Sequence, residues 1–333
     1  MNDERVLSRV IGRRGFLRGA VALSASGAAV YALGCGGDGD GGGDATAAPT
    51  QAGGSTPSST SGAPNTVTPV LLTSEFVAGQ QGRFLVGLLD DENEFVRNAQ
   101  VDLRFFTVAA NGKTGTLRGE GQAAYEELVV PASASPQGMA HGDTIGFYTT
   151  SAPFDAGGQW AVEIAATPPG ETNPSKIEAA FKVYDTYRIP APGTVPPASQ
   201  NDTSATNPNA ASLCSRDPVC PLHDKVIADY LGKGRPLVVQ FSTPAFCETR
   251  FCGPVLDVLL EQAPAYQDRV DFVHIEVWQD FQLKQYRAAT QEWHLPTEPI
   301  TFFMGPDGTI ASFLESVFTQ AELTAALDQV VGL

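Results

Sequence analysis

The sequence is short of basic residues. It has 21 Lys and Arg against 37 Asp and Glu, which gives a formal net charge of -16 and a pI near 4.6. Nucleic-acid-binding proteins cluster Lys and Arg against phosphates, so this shortage argues against a nucleic-acid partner. The acidic excess is typical of a soluble, self-repelling surface. A chain of 333 residues has room for about two domains.

The sequence also lacks an apolar run long enough to cross a bilayer, which takes about 20 residues. Its weakly apolar segment, Ala20 to Leu33, is shorter and rich in Ala, Gly and Ser. That segment follows "GRRGFLRG", with Arg13 and Arg14, and ends in "ALGC" at Cys35. This arrangement resembles a twin-arginine export signal with a lipobox. The resemblance implies an extracytoplasmic protein held at the cell membrane by a lipid on Cys35. An uncleaved signal anchor would place the chain on the same side.

Cysteine is scarce too, with five residues in the chain. Apart from Cys35, four remain in two close pairs, Cys214/Cys220 and Cys247/Cys252. An even number of cysteines outside the cytoplasm favours disulfides. We expect Cys214 and Cys220 to form a structural disulfide, because the Asp-Pro turn in "CSRDPVC" lets the chain double back.

Composition divides the chain into five segments. After the signal (residues 1–35), residues 36–65 are mostly Gly, Ser, Thr, Pro and Ala without apolar periodicity, which predicts a disordered tether. Residues 66–188 have strand patterns, and residues 189–209 form a Pro-rich linker. Residues 210–333 alternate helical and strand patterns. The sequence therefore predicts a multidomain protein with an antiparallel β-sandwich followed by an α/β domain.

The strand patterns of residues 66–188 have period two, as in "QVDLRFF", "WAVEIA" and "AAFKVYD". Further candidate strands are Pro69–Leu72, Arg83–Leu89, Tyr125–Val130 and Gly146–Thr150. About seven strands separated by Gly-, Pro- and Asn-rich turns suit an antiparallel sandwich. The phrase "FDAGGQWAVEI" resembles a strand signature of immunoglobulin-like bacterial extracellular modules. That resemblance implies an immunoglobulin-like sandwich.

In residues 210–333 the predicted helices include "HDKVIADYLGKG" (residues 223–234), "QLKQYRAATQEW" (residues 282–293) and a closing helix opened by Thr319, with Glu322 three residues on in a capping-box pattern. The predicted element order is α-β-α-β-α-β-β-α, with a cysteine motif after the buried strand "RPLVVQF". Together with "LPTEPITFFMGPDGTI", this order resembles the thioredoxin fold. The resemblance implies a cis-proline at Pro299 that faces the reactive sulfur and helps to bind the partner's chain. The family's buried acid corresponds to Gln240 in this sequence, so that catalytic aid is missing.

The motif "CETRFCGPV" has four residues between its cysteines instead of two and fits the family in two registers. In the first, Cys247 begins the helix, Arg250 stands at the second cysteine position, and Pro254 kinks the helix from inside. In the second, Cys252 takes the first position, Val255 replaces the resolving cysteine, and Pro254 lies in the first helical turn. The residue count from the strand to the helix favours the first register.

One hypothesis for function is thiol–disulfide exchange with protein thiols or disulfides outside the cytoplasmic membrane, without a cofactor. Cys247 attacks, because a helix N-terminus and the charge of Arg250 stabilise its thiolate. Cys252 resolves the mixed disulfide, and Pro299 shapes the docking groove.

A second hypothesis is a copper metallochaperone, since the chain resembles the copper-delivering thioredoxin-like lipoproteins of oxidase assembly. Two thiolates and an imidazole suit copper, so the ligands would be Cys247 and Cys252 with His223 or His294. We expect His274 to be a core residue, because it alternates into a buried strand. A third hypothesis is a non-enzymatic binding module in which both cysteine pairs are structural disulfides.

Overall fold

The computed structural model describes residues 67–109, 111–131, 144–247 and 250–332. The predicted export arginines Arg13 and Arg14, the lipidation site Cys35 and the tether lie outside these residues. None of the described helices has the length and apolar character needed to cross a membrane.

The first part of the described chain is built from seven antiparallel strands, and each overlaps a predicted one. They are β1 (Thr68–Leu71), β2 (Gln80–Leu89), β3 (Gln100–Val108), β4 (Thr114–Val129), β5 (Thr144–Phe154), β6 (Gly158–Thr167) and β7 (Ser175–Val183). They form a sheet of order β1-β2-β5-β4-β3-β6-β7. The long β4 pairs with β3 up to Ala123 and with β5 from Ala124. A strand that changes partners in this way joins the two halves of a β-sandwich, and the architecture is consistent with one.

Aromatic side chains fill the interior of this sheet. The alternation in β3 buries Val101, Leu103 and Phe105 on one face, as period two requires. Phe105 lies edge-on to Phe84 and Phe154, with ring centroids 5.0 and 5.9 Å away. Each buried ring of this kind stabilises the fold by roughly 1.5–3 kcal/mol, so the alternating pattern itself provides the core.

The second part contains five helices and a four-stranded sheet. The helices are α1 (Ala210–Leu213), α2 (Ile227–Tyr230), α3 (Cys252–Tyr266), α4 (Ala288–Glu292) and α5 (Gln320–Val331). The strands are β8 (Leu237–Ser242), β9 (Asp271–Glu276), β12 (Ile300–Met304) and β13 (Ile310–Glu315), with β10 (Trp278–Asp280) and β11 (Gln285–Tyr286) as a separate hairpin. The sheet order is β13-β12-β8-β9, in which β8 and β9 are parallel and the other neighbours antiparallel.

Apolar residues cover both faces of this sheet. On one face, α3 and α5 contribute Val255, Leu259 and Leu323 to a buried cluster. On the other face, Phe241 packs against Trp293, which follows α4. The predicted capping box of α5 is confirmed, because Thr319 accepts from the Glu322 N–H and the Glu322 carboxylate accepts from the Thr319 N–H.

Two predicted helices are shorter than expected. The helix predicted over residues 223–234 is reduced to the four residues of α2, because Gly232 and Gly234 take left-handed conformations just beyond it. The helix predicted over residues 282–293 is reduced to α4, and its first half belongs to the β10–β11 hairpin. The residues of this hairpin lie next to the candidate functional site.

The predicted linker, residues 189–209, has no regular element but packs against the α/β part. Gly193 and Thr194 exchange backbone hydrogen bonds with Ile310 of β13, and Ser199 accepts from the Trp293 indole. The sandwich also contacts the α/β part directly, where Arg83 forms two hydrogen bonds of 2.7 and 2.8 Å with the Glu322 carboxylate. The described residues all lie within one compact unit that begins at Pro64.

Candidate functional site

The start of α3 determines how the cysteine motif is presented. This helix begins at Cys252, with Phe251 as its N-cap. The first register, with Cys247 at the helix start, is therefore wrong, and Pro254 lies in the first turn as the second register expects. A proline fits there because the first N–H groups of a helix have no intrahelical partner. The helix N-terminus thus carries Cys252, whereas Cys247 lies in the preceding loop.

The two sulfurs of this pair differ in exposure. Cys247 is 8% exposed and Cys252 is 0% exposed, and neither forms a disulfide. Burial raises the pKa of Cys252 well above its usual range, and the hydrogen bond and charge of Cys247 raise it further. Cys252 is therefore protonated at neutral pH, although it stands at a helix N-terminus. Its thiol donates to the Cys247 sulfur.

A carboxyl group that was not predicted as a site residue lies beside the thiol pair. It belongs to Glu298, which precedes Pro299, and the peptide between them is cis as expected. Glu298 Oε1 accepts from the Trp278 indole at 3.1 Å. Oε2 is buried without a hydrogen-bond partner among the described residues. Burial, followed by the charge of Cys247, raises the pKa of Glu298 to about 8. A charged residue directly before the expected cis-proline was the available sequence signal.

The loop around Cys247 also presents groups to solvent. Arg250 is exposed with a left-handed backbone (φ 66°). Phe246 is 46% exposed and stacks on Phe281, with ring centroids 5.0 Å apart. In the hairpin, Trp278 stacks on Tyr286 at 4.2 Å. We call Phe246, Trp278, Phe281, Leu283 and Tyr286 the aromatic patch.

A second cluster consists of Cys214, Cys220, His223 and His274, all buried, with their ligand atoms within 4.8 Å of one another. His274 Nδ1 lies 3.3 Å from Cys220 Sγ, 3.6 Å from Cys214 Sγ and 3.2 Å from His223 Nε2. Cys220 Sγ lies 3.2 Å from His223 Nε2. Cys214 and Cys220, predicted as a disulfide, are free thiols in this arrangement.

The metal-ligand set expected from the sequence is not brought together. His223 belongs to the second cluster, and His294 is exposed just after α4 with a left-handed backbone (φ 54°). Among the described residues, no group of Cys, His, Asp and Glu that could hold a metal includes Cys247 or Cys252. The thiol pair and the Cys/His cluster are thus separate sites.

Strand pairing brings the second cluster together. His274 lies in β9, as expected, and its N–H donates to the Leu222 carbonyl at 2.9 Å. The loop that carries both cysteines therefore runs along the edge of β9. From the sequence, His274 was expected only to be a core residue, because this pairing with Leu222 is a property of the folded chain. The short spacing of Cys220 and His223 in "CPLH" was the available signal.

Charges in the second cluster are strongly coupled. The hydrogen bond from Cys220 lowers the pKa of Cys214 against the effect of burial, whereas the same contact raises the pKa of Cys220. Burial lowers the pKa of His223. Burial also opposes the charged form of His274, but the hydrogen bond and charge of Cys214 outweigh it and raise the pKa.

No protein-family model matches this sequence, and no curated protein shows significant similarity to it. Inferences about function therefore rest on the two side-chain clusters and the fold that positions them.

Proposed function

We propose that this chain is a thioredoxin-like protein that exchanges disulfides with other proteins through Cys247 and Cys252. The observation that carries the proposal is the thiol pair between β8 and α3, with the Glu298 carboxyl and the cis-proline Pro299 beside it. Cys247 is 8% exposed, Cys252 is fully buried and protonated, and a titratable group is within electrostatic reach of both. Exchange needs an attacking thiolate and a resolving thiol that can lose its proton, and this arrangement can provide both.

The topology supports the thioredoxin-like assignment. A central strand, β8, has a parallel neighbour on one side and an antiparallel pair on the other, and the thiol-bearing helix follows it directly. The seven-stranded sandwich supports an immunoglobulin-like module before it. Fold likeness alone does not assign activity, so the thiol site carries the functional inference.

In the reductive direction, the Cys247 thiolate attacks a substrate disulfide and one substrate thiolate leaves. A mixed disulfide between Cys247 and the substrate results. The Cys252 thiol then transfers its proton to the Glu298 carboxylate, and its sulfur attacks Cys247. The second substrate thiolate then leaves. The substrate has gained two electrons, and this protein has lost two electrons in forming the Cys247–Cys252 disulfide. The oxidative direction reverses these steps.

Glu298 supplies the buried acid that is absent at Gln240. While Cys247 is a thiolate, its negative charge helps to keep Glu298 protonated, with a pKa of about 8. In the mixed disulfide that sulfur is uncharged, so this electrostatic contribution disappears and the carboxyl ionises more readily. Glu298 can then accept the proton of Cys252 at the stage when the resolving thiol must lose it.

The aromatic patch provides a surface for a protein substrate. Phe246 precedes the attacking Cys247, and the hairpin that carries Phe281 also carries Trp278, which holds Glu298. Exposed aromatic side chains of this kind bind extended peptide segments, because they bury large apolar area at low entropic cost. The patch therefore favours a protein substrate over a small disulfide.

Trapping the mixed disulfide tests the proposal. With a disulfide-bonded test protein, Cys252→Ser should accumulate a covalent adduct through Cys247, whereas Cys247→Ser should form none and lose exchange activity by several orders of magnitude. His294→Gln, at an exposed position outside the site, is the control and should behave as wild type. Full activity in both cysteine variants would exclude exchange at this pair.

We also propose that the protein acts outside the cytoplasmic membrane, anchored by a lipid on Cys35. The proposal is supported by Arg13 and Arg14 before a short apolar run and by "ALGC". Cys35→Ala should move the protein from the membrane fraction to the soluble fraction. Unchanged membrane association of that variant would refute the lipid anchor.

A further inference from the structure

The Cys/His cluster has the ligand chemistry of a closed metal site. It offers two sulfurs and two imidazole nitrogens, all buried and all within 4.8 Å of one another. Two cysteines and two histidines are a frequent donor set for tetrahedral zinc. Four protein ligands complete a tetrahedron, so such an ion has no open position for substrate.

The distances agree with a single ion at the centre. Zn–N bonds of about 2.05 Å and Zn–S bonds of about 2.3 Å place tetrahedral nitrogens about 3.3 Å apart and a nitrogen and a sulfur about 3.6 Å apart. The two histidine nitrogens are 3.2 Å apart, and three of the four nitrogen–sulfur distances are 3.2, 3.3 and 3.6 Å. A Cys214–Cys220 disulfide would leave both imidazoles directed at a sulfur pair that cannot donate to them.

The surroundings of His274 orient it as a ligand. Its Nε2 lies 3.1 Å from the Ser242 carbonyl oxygen, which can only accept, so Nε2 carries the proton. The Ser242 hydroxyl lies 2.9 Å from the same nitrogen. Nδ1 is therefore left with its lone pair directed at the cluster. Metal-bound histidines are usually fixed by such a hydrogen bond to a backbone carbonyl.

We propose that Cys214, Cys220, His223 and His274 bind one zinc ion as a structural site. Binding leaves two thiolates, two neutral imidazoles and Zn²⁺ with no net charge, as a buried position requires, and any protons still held by the ligand atoms are released to solvent. A cavity of about 170 Å³ borders His223 and His274 and is also lined by Glu276 and Arg287. It gives the ion a route from solvent.

The zinc ion would fix the loop that supports the thiol site. Ser215, between the two cysteine ligands, donates its N–H to Glu276 of β9 at 2.7 Å. The Ser215 hydroxyl accepts from the N–H of Ala245, two residues before Cys247, at 3.1 Å. On the other side, Arg216 forms a buried ion pair of 2.8 Å with Asp257 of α3. Metal binding therefore stabilises the segment against which the Cys247 loop is packed.

The test measures zinc in the full exported chain, purified under reducing conditions and dialysed with excess zinc. We expect one zinc per chain in wild type, and none in Cys214→Ser or His274→Gln. Cys252→Ser and His294→Gln are the matched cysteine and histidine controls and should keep one. Cobalt(II) in place of zinc should give the intense visible bands of a tetrahedral thiolate site, and Cys214→Ser should lose them.

Because a ligand variant can fail to fold, wild-type protein treated with a chelator provides a second measurement. Alkylation of Cys214 and Cys220 should be slow with zinc, fast after chelation and slow again after zinc is restored. Zinc retained in Cys214→Ser, or a Cys214–Cys220 disulfide that persists in zinc-equilibrated protein, would overturn the proposal. Neither result bears on exchange activity at Cys247 and Cys252, which a separate assay measures.

Discussion

The two cysteine pairs of this protein lie at the same end of one sheet, but their neighbours differ. Cys247 and Cys252 are next to the carboxyl of Glu298. This carboxyl can carry a proton, and its negative charge disfavours a negative charge on the thiol pair. Cys214 and Cys220 are next to two imidazoles, and these four side chains could hold a metal ion together. Spacing is similar in the two pairs, with four and five intervening residues. The adjacent side chains, more than the spacing, thus indicate proton transfer at one pair and metal binding at the other.

Removing zinc should produce the largest difference between the two cysteine pairs, because only Cys214 and Cys220 are proposed zinc ligands. An ion present at about a thousandfold above its dissociation constant stabilises the folded state by about 4 kcal/mol. For a folded unit of this size, the melting temperature then falls by roughly 8–16 °C on chelation. Thermal unfolding with and without chelator measures the shift. Cys252→Ser, which leaves the zinc ligands intact, should show the same shift, and an unchanged melting temperature in wild type would contradict a structural ion.

Glu298→Gln should affect only the thiol pair. The variant keeps the size and one acceptor but cannot take the proton of Cys252, so resolution of the mixed disulfide should slow by about 100-fold. Formation of the mixed disulfide by Cys247 should change little. Stopped-flow mixing with a disulfide-bonded test protein resolves the two steps. Equal slowing of both steps would indicate a distorted site instead of a lost base, and zinc content is the control that should not change.

The same variant has a pH signature. Glu298 has a raised pKa of about 8 in the reduced fold, against 4.5 as the ordinary value, so the folded chain keeps a proton that the unfolded chain has lost between these values. The unfolded state then binds fewer protons, and stability falls as pH rises through this window. Glu298→Gln should lack that fall. Melting temperatures of reduced wild type and variant between pH 5 and pH 9 measure it, and parallel curves would contradict a raised pKa.

The sequence predicted what depends on local pattern. All seven sandwich strands and the cap of α5 follow from alternation and from Thr319 with Glu322. The residue count favoured the wrong helix register, because it does not show where the helix begins, whereas the second register has Cys252 and Pro254 at the helix start as observed. The Cys/His cluster was also missed, since it requires the loop of Leu222 to pair with His274 across 51 intervening residues. Long-range pairing and desolvation are properties of the folded chain, so the spacing of residues along the sequence does little to predict them.

Ser242→Ala should weaken zinc binding at the Cys/His cluster, with a smaller effect than the changes above. It removes the hydroxyl 2.9 Å from His274 Nε2 but keeps the Ser242 carbonyl that fixes the tautomer. Partners of metal ligands contribute about 10–100-fold to affinity, and half of this one remains, so we expect about a tenfold loss. Competition with a zinc chelator measures the affinity. Ser312→Ala in β13 is the matched control, and an equal loss there would mean that general loosening accounts for the effect.

Phe246→Ala should have the smallest effect and should be confined to the thiol pair. It removes the ring that stacks on Phe281 next to Cys247, and an exposed aromatic contact contributes about 0.5–1.5 kcal/mol. KM for a protein disulfide should therefore rise roughly fivefold with kcat unchanged, because the ring binds substrate without taking part in sulfur transfer. Oxidised glutathione, which is too small to span the aromatic patch, should be exchanged at the wild-type rate. Val129→Ala, at an exposed apolar position of β4, is the control. A loss with Phe246→Ala that is equal for both substrates would mean that the ring positions the Cys247 loop and does not bind the partner.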